Sequence, residues 1–343
     1  MNTFTLKVVE IKKETEDTIT ICFKQPGLRR VKYLAGQYLT LIFRINGRRY
    51  IRPYSFSSAP AVDQWLEVTI KRVPSGIVSN HIHDTVKVGD SIEAMQPMGE
   101  FICEEPADEI CLWGVGSGIT PLISIAKQLL AHNSEAKVNL IFGNRNHETT
   151  IFLTKIQELQ NLYPNRFIVK HFHTQLKINH DIPGLIEGRI DKERAINILQ
   201  ILKPLAATKH YICGPIGLKE SVKTALKTQG IGEKYIFSED FELVKDPKDF
   251  DNVQTQKIKM KFGNDELDLE VIKGKSILES ALDAGIELPY SCQTGSCSTC
   301  KGRLISGEVK MIGLSKERDD LLSDEYLVCC AHPLSDNVYL EIA

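Results

Sequence analysis

The 343-residue sequence contains no run of about 18 apolar residues, the length that a membrane-spanning helix requires. Its opening stretch, MNTFTLKVVEIKKETEDT, has no apolar h-region, so no secretory signal and a cytoplasmic location are expected. Basic charge is not in excess. The 42 Lys and Arg face 44 Asp and Glu, a net charge of −2. That balance argues against a generic nucleic-acid binder, because phosphate contacts need clustered cations. No internal repeat, low-complexity segment or nucleophile–base triad stands out. Histidine offers little: His171 and His173 alternate on a predicted strand, and His81 and His83 flank a helix turn. Both pairs read as ordinary, partly exposed side chains rather than metal ligands.

What is present is an uneven distribution of nine cysteines. Cys22, Cys103 and Cys111 lie in apolar or alternating contexts and read as small buried hydrophobes. Three others crowd into SCQTGSCSTC, residues 291–300, and Cys329 and Cys330 follow much later. A disulfide knot, a zinc site and an iron–sulfur cluster are the three chemistries open to such a group. A reducing cytoplasm disfavours the first. A structural zinc site normally uses two close pairs, whereas here three cysteines sit on one side and a single distant one suffices. The spacing Cys292-x4-Cys297-x2-Cys300 with a remote fourth cysteine is the plant-type [2Fe–2S] pattern. Two irons share two sulfides and each needs two thiolates, so one tight loop and one far segment can supply the set. Gly295 lets that loop curl, with backbone N–H groups free to point at sulfur.

A chain of this length exceeds one ordinary core, and two or three domains are expected. The first hundred residues alternate in the manner of short strands, with turns at Asn46-Gly47 and Ala59-Pro60, and suggest a closed antiparallel β-barrel. Near Pro106 the pattern changes to strands alternating with helices, which implies a doubly wound parallel α/β sheet. The charged stretch VKDPKDFDNVQTQ reads as a linker. Beyond it come a hairpin, a short helix, the cysteines and a final strand. The expected division is 1–105, 106–243, a linker at 244–256, and 257–343. Residues 252–343 hold ten basic and fifteen acidic side chains against 32 and 29 in the rest. An acidic C-terminal module docking on a mildly basic body would follow from that contrast.

Four further motifs carry chemistry. RPYSFSS offers Arg52, Pro53, Tyr54 and Ser55, and VPSGIVSNHIH offers Gly76, Val78 and Ser79 at the start of a short helix, whose N-terminus favours anions. WGVGSGITP follows one predicted strand and opens a predicted helix, the context a nucleotide turn requires. There Gly114, Gly116 and Gly118 would let a pyrophosphate approach backbone amides, with Thr120 and Pro121 completing the phrase. CGPIG, with Cys213, Gly214 and Pro215, ends another strand, and SEDF contributes Glu239 and Phe241.

With these motifs the chain resembles the ferredoxin–NADP reductase superfamily, in particular the three-domain reductases that serve oxygenases and end in a plant-type [2Fe–2S] ferredoxin domain. PYSCQTGSCSTCKGRLISGEV, YLVCCAHPLSD and GNRN with TIF resemble the group that supplies phenylacetyl-CoA epoxidase and ring- or steroid-hydroxylating systems. The resemblance implies a flavin barrel, a nucleotide domain and an α+β, β-grasp-like ferredoxin domain, in that order. It implies that Arg52 pairs with the flavin pyrophosphate, that Tyr54 lies against the flavin, and that Ser55 hydrogen-bonds near flavin N5. It places Cys213 beside the nicotinamide, Glu239 near the site and Phe241 over the flavin. Because the family's fourth cysteine stands four residues before a proline, Pro333 implies Cys329 as the last ligand and Cys330 as its buried neighbour.

The implied cofactors are FAD, favoured over FMN through the 76–79 turn, and a [2Fe–2S] cluster, with NAD(P)H as the electron source. Arg145 in GNRN would suit a 2′-phosphate, yet the same phrase suits NADH relatives, and both stay open. The implied partner is a separate oxygenase, with no nucleic acid. Alternatives are a fatty-acyl desaturase or a hybrid-cluster protein as acceptor, and a redox sensor without turnover.

Overall fold

The structure, a computed structural model, describes residues 3–27, 30–103, 107–175 and 184–342. The N-terminal strands are β1 (Thr3–Thr15), β2 (Thr18–Phe23), β3 (Tyr38–Ile45), β4 (Arg48–Ser55), β5 (Leu66–Lys71) and, after helix α1 (Ile77–Thr85), β6 (Ser91–Met95). They form one sheet in the order β4-β3-β6-β1-β2-β5. Asn46 and Gly47 both take positive φ, 50° and 78°, the backbone of a two-residue hairpin that joins β3 to β4. Just past β4, Phe56 pairs with Val68 of β5, so the two ends of the sheet meet and the expected barrel closes. Cys22 is fully buried inside it.

A parallel sheet follows, built from β7 (Glu109–Val115), β8 (Lys137–Asn144), β9 (Phe167–His173), β10 (Leu185–Glu187), β11 (Lys209–Cys213) and β12 (Ile236–Glu239). Its order is β10-β9-β8-β7-β11-β12. Helices α2 (Ile119–His132), α3 (Leu153–Leu162), α4 (Lys192–Leu202) and α5 (Ile216–Thr228) cover it. One face packs Leu112, Leu140 and Phe142 with Leu122, Ala126 and Ile156. The other packs Trp113, Ile141 and Ile212 with Ile198, Val222 and Leu226.

Two expectations need correction here. His171 and His173 are not partly exposed: each retains only 2% of its surface. They lie on the same side of β9 as buried Phe167 and Val169, while the alternate residues Ile168 and Lys170 keep exposure, so the histidines continue the buried face of the strand. Cys103 is half-buried at the edge of the nucleotide-domain core rather than inside it, while Cys111 is fully buried. The short strand β10 had no periodic signal in the sequence.

The C-terminal module contains β13 (Gln256–Phe262), β14 (Asp265–Val271), α6 (Ile277–Asp283), β15 (Lys301–Ser306), β16 (Val309–Met311), β17 (Glu325–Leu327), β18 (Ala331–Pro333) and β19 (Tyr339–Ile342). A five-stranded mixed sheet, β14-β13-β19-β15-β17, packs with α6 in the β-grasp manner, and β16 pairs with β18. Ser276 and Glu279 form a reciprocal capping box that starts α6. The stretch read as a linker is packed. Val253 is buried, Phe250 stacks edge-on to His332 at 5.1 Å, and Lys245 and Asp249 pair with Glu279 and Lys310.

By contacts the chain divides into two compact units, one of Asn2–Leu41 with Tyr54–Glu239, the other of Ile42–Pro53 with Asp240–Ala343. The tip of the β3–β4 hairpin therefore belongs with the C-terminal module.

Candidate redox site

In the larger unit, the turn after β7 meets the end of β11. Parallel pairing puts Cys213 beside Gly114 on one side and Glu239 on the other. Ser55, at the end of β4 and only 6% exposed, donates its hydroxyl to Glu239 Oε2 at 3.4 Å. Ser55, Cys213 and Glu239 are thus brought to one place, although they are spread over 184 residues.

The glycines of WGVGSGITP have different reasons to be glycine. A Cβ on Gly118 would lie 2.1 Å from the Cys213 carbonyl oxygen, and one on Gly114 would lie 2.8 Å from Leu122 Cδ1. Gly116 has φ +55 and nothing within 4 Å of where a Cβ would be. So Gly116 alone faces open space, while Gly118 serves the close packing of the turn on the CGP segment. Buried Thr120 donates to the Ser117 carbonyl at 3.0 Å and holds the turn, and Pro121 is buried in the first turn of α2. Pro215 caps α5, with Gly214 before it at φ +153.

Neither α1 nor α2 has a side-chain cap on its N-terminus; at α1 the first-turn N–H groups are left for a ligand or water, whereas at α2 the Ile119 N–H is bonded to the Gly116 and Ser117 carbonyls. Gly76 is the N-cap of α1, and Val78 and Ser79 are buried in its first turn. Ser79 Oγ accepts from Val73 N–H at 3.1 Å, which shapes that turn. Arg145 is exposed just beyond β8, at the C-terminal edge of the sheet, where doubly wound folds bind ligands.

In the smaller unit, Arg52 and Pro53 lie on β4, where Arg52 Nη1 donates to the Ile51 carbonyl at 2.8 Å. Phe241 is 45% exposed. Four cysteine sulfurs converge. Electrostatically Cys292 is influenced most by Cys297 and Cys329, and Cys300 by Cys329, while the Cys297 thiol donates to Thr299 Oγ1 at 3.5 Å. Cys292, Cys300 and Cys329 are buried, and Cys297 is half-buried. S–H donation from Cys297 and Cys329 pushes the Cys292 thiol well below its ordinary value, and donation from Cys329 lowers that of Cys300. The donors, Cys297 and Cys329, are raised for the same reason. Thr294 N–H points at Cys292 Sγ at 3.4 Å. Thiols are the donors that soft metal ions take, two thiolates to each iron of a cluster, although among the described residues no group of three or more His, Cys, Asp or Glu is already arranged to hold a metal ion.

Cys330 is fully buried and donates its thiol to the Leu327 carbonyl at 3.3 Å. Gly295 has φ +71, and a Cβ there would meet Leu314 Cδ2 at 2.2 Å and Cys330 Sγ at 3.5 Å. Arg318 was not legible as a site residue. It is only 13% exposed and donates to the Gly295 carbonyl at 2.5 Å, the Cys297 carbonyl at 3.4 Å and Ser298 Oγ at 2.9 Å, bracing the cysteine loop. Among the described residues no helix is long and apolar enough to cross a membrane.

A barrel with an uncapped anion turn, a doubly wound nucleotide sheet and a cysteine-lined module together define a flavin- and nicotinamide-dependent reductase that ends in an iron–sulfur domain. The chain matches the oxidoreductase FAD-binding domain over residues 5–102, the oxidoreductase NAD-binding domain over 112–224, and the 2Fe-2S iron-sulfur cluster binding domain over 263–334. It is 31% identical to a component of the 1,2-phenylacetyl-CoA epoxidase of Escherichia coli (strain K12), over 99% of this chain and 98% of that one. It is 30% identical to the ferredoxin reductase component of 3-ketosteroid-9-alpha-monooxygenase of Rhodococcus rhodochrous, over 98% and 96%. The solved structure of phthalate dioxygenase reductase, described as modular for electron transfer from pyridine nucleotides to [2Fe-2S], superposes with a TM-score of 0.69 at 25% identity, covering 99% of this chain and 98% of that one. The chain belongs to this family of three-domain ferredoxin reductases. It is an NAD(P)H-dependent oxidoreductase that uses FAD and a [2Fe–2S] cluster.

Proposed function

We propose that the protein is the reductase component of an oxygenase system and feeds single electrons to a separate oxygenase. The relatives just described, components of an epoxidase and a steroid monooxygenase, support this acceptor class. We assign the protein to the cytoplasm, the reducing compartment in which structural disulfides are disfavoured. The domains divide as the motifs suggest, with flavin, nucleotide and cluster parts at 1–105, 106–243 and 257–343.

The observation that carries the reading is the convergence of Cys292, Cys297, Cys300 and Cys329 in a chain that also pairs Ser55 with Glu239 beside Cys213. When bound, FAD would supply two-electron chemistry toward the hydride of NAD(P)H, and the cluster one-electron chemistry toward an acceptor. The chain's part is binding and orientation. Arg52, with its planar charged fork, and the first turn of α1 at Gly76, Val78 and Ser79 hold the pyrophosphate of FAD. Tyr54 and Phe241 supply aromatic faces for the flavin ring. Gly116 admits the nicotinamide nucleotide to the N-terminus of α2, and Arg145 meets its ribose end. Ser55 and Glu239 form a hydrogen-bonded pair that can hold a proton at the site of hydride transfer, and Cys213 packs the nicotinamide. Cys292, Cys297, Cys300 and Cys329 ligate the cluster.

Anaerobically purified protein should release FAD, show cluster absorbance and a reduced-state EPR signal, and reduce cytochrome c at the expense of NAD(P)H. Addition of candidate oxygenases should then couple NAD(P)H oxidation to hydroxylation. A protein that binds neither group, or is inert to NAD(P)H, overturns the reading.

A further inference from the structure

The strand that carries the flavin motif is gripped by the cysteine loop at one residue. Ile51 N–H donates to Tyr290 Oη at 3.1 Å, and Gln293 Nε2 donates to the Ile51 carbonyl at 3.1 Å. We propose that Tyr290 and Gln293 are positioning residues for internal electron transfer, which lock the cluster loop in register with the β4 segment that carries Arg52. The proposal rests on the reading of Arg52 as a flavin-binding residue and of the cysteines as cluster ligands.

The physical argument begins at the sheet edge. β4 stands at one end of the sheet order, with β3 as its neighbour there. In a strand, the N–H and C=O of one residue point to the same side. Ile51 is fully buried, so that pair left bare would be costly. Tyr290 supplies an acceptor and Gln293 a donor, so two side chains take the place of a missing strand. Two bonds to one residue fix direction as well as distance. The neighbouring ion pairs, Arg48 with Asp283 at 2.9 Å and Arg44 with Glu287 at 3.9 Å, are solvent-exposed and contribute little to that register.

Gln293 adds a second observation. It has φ 59°, a left-handed backbone that a non-glycine residue keeps only when something holds it there. Its bond to the Ile51 carbonyl is that hold. The same carbonyl accepts from Arg52 Nη1 at 2.8 Å. Cys292 lies between Tyr290 and Gln293 in sequence, so a cluster ligand is linked to the flavin-motif arginine through one side chain and one shared carbonyl. Holding donor and acceptor in fixed geometry is what makes their exchange efficient.

The test uses the full-length holoprotein with Tyr290→Phe, Gln293→Glu and the double variant. Gln293→Glu keeps the size and removes the donor. In anaerobic stopped flow with NAD(P)H, bleaching of the flavin should keep its rate, while reduction of the cluster slows by about tenfold in the double variant, the scale of losing one or two net hydrogen bonds. The visible and EPR signatures of the cluster should be unchanged. Hydrogen–deuterium exchange at the Ile51 amide should rise in Tyr290→Phe and not in Gln293→Glu, because only Tyr290 takes that N–H. Tyr290→Phe deletes one oxygen and preserves packing, so its exchange rate decides the geometry even where the double variant loads cluster poorly. Unchanged exchange in Tyr290→Phe, or cluster reduction at the wild-type rate in the double variant, overturns the proposal. A wild-type protein that binds no flavin or cluster overturns the underlying reading instead.

Discussion

The α-carbon of Gly118 sits so close to Cys213 that an added Cβ would lie 2.1 Å from the Cys213 carbonyl oxygen and 2.5 Å from its carbon. Both atoms are backbone at the end of β11, so neither can swing aside. Gly118→Ala is therefore expected to push the CGP segment off the nucleotide turn. It should lower kcat for NAD(P)H oxidation with ferricyanide as acceptor by at least about tenfold and cost about 1–3 kcal/mol of stability through overpacking. Gly116→Ala meets no atom but must keep φ +55, at a cost of about 1 kcal/mol. It should fold, and its defect should appear mainly as a raised KM for NAD(P)H. Steady-state kinetics with thermal unfolding of both variants checks the contrast, and equal kinetic behaviour would refute it.

Cys329 and Cys330 are adjacent but face different partners. Cys329 interacts with Cys292 and Cys300 as well as with Cys330, whereas the Cys330 thiol is given to the Leu327 carbonyl. Cys329→Ser is expected to abolish the cluster spectrum while NAD(P)H still bleaches the flavin at its normal rate. Cys330→Ser should leave both unchanged. Iron and sulfide content with EPR on each variant decides between the two cysteines, and a cluster lost only from Cys330→Ser would reverse the assignment.

The motifs that were legible in the sequence are local. GVGSGITP and CGP each lie where a strand gives way to a helix, and RPYS lies on one strand, so spacing alone conveyed their context. Pro333 stands four residues after Cys329. The parts that were not legible depend on distance. Ile51 and Gln293 are 242 residues apart, and neither is unusual in its own segment. Arg318 lies in a charged run, KERDD, whose obvious reading is a solvated face, and its nearly buried guanidinium appears only once the loop folds beneath it. β10, β16, β17 and β18 are three residues each, too short for any period to register. His171 and His173 alternate as a half-exposed strand would, and the sequence does not show that they fall on its buried side, with Phe167 and Val169, rather than on the side of exposed Ile168.

Arg318 places a cation against the loop that holds the cysteines, and its hydrogen bonds to the Gly295 and Cys297 carbonyls keep it there. Asp320 balances part of that charge; its carboxyl is pushed down to about 2 by the Arg318 hydrogen bond. A cluster gains negative charge on reduction, so a nearby cation favours the reduced form. Arg318→Gln should lower the reduction potential by on the order of 50 mV, as expected for one partly compensated charge nearby. Arg318→Lys should recover part of the shift but lose the forked geometry, and with it some loop order. Spectroelectrochemical titration checks this, and an unchanged or raised potential in Arg318→Gln would count against an electrostatic role.

Buried His171 and His210, with His173 beside His171 also lowered by burial, make the nucleotide domain sensitive to acid. Burial pushes His210 down to about 4, and burial with the neighbouring His173 and His147 does the same for His171. Trp113 Nε1 donates to His210 Nδ1 at 3.3 Å, which requires that nitrogen to be unprotonated. The unfolded chain takes up a proton on each near pH 6.5, while the folded chain resists until about pH 4. Their contribution is therefore fully present above pH 6.5 and is lost as pH falls toward 4, up to about 3 kcal/mol for each residue. Thermal unfolding between pH 7.5 and 4.5 should show this decline. His210→Gln should flatten it by the share of that one histidine, since the new side chain has no proton to gain in this range. A pH profile unchanged by His210→Gln would mean that the acid sensitivity arises elsewhere.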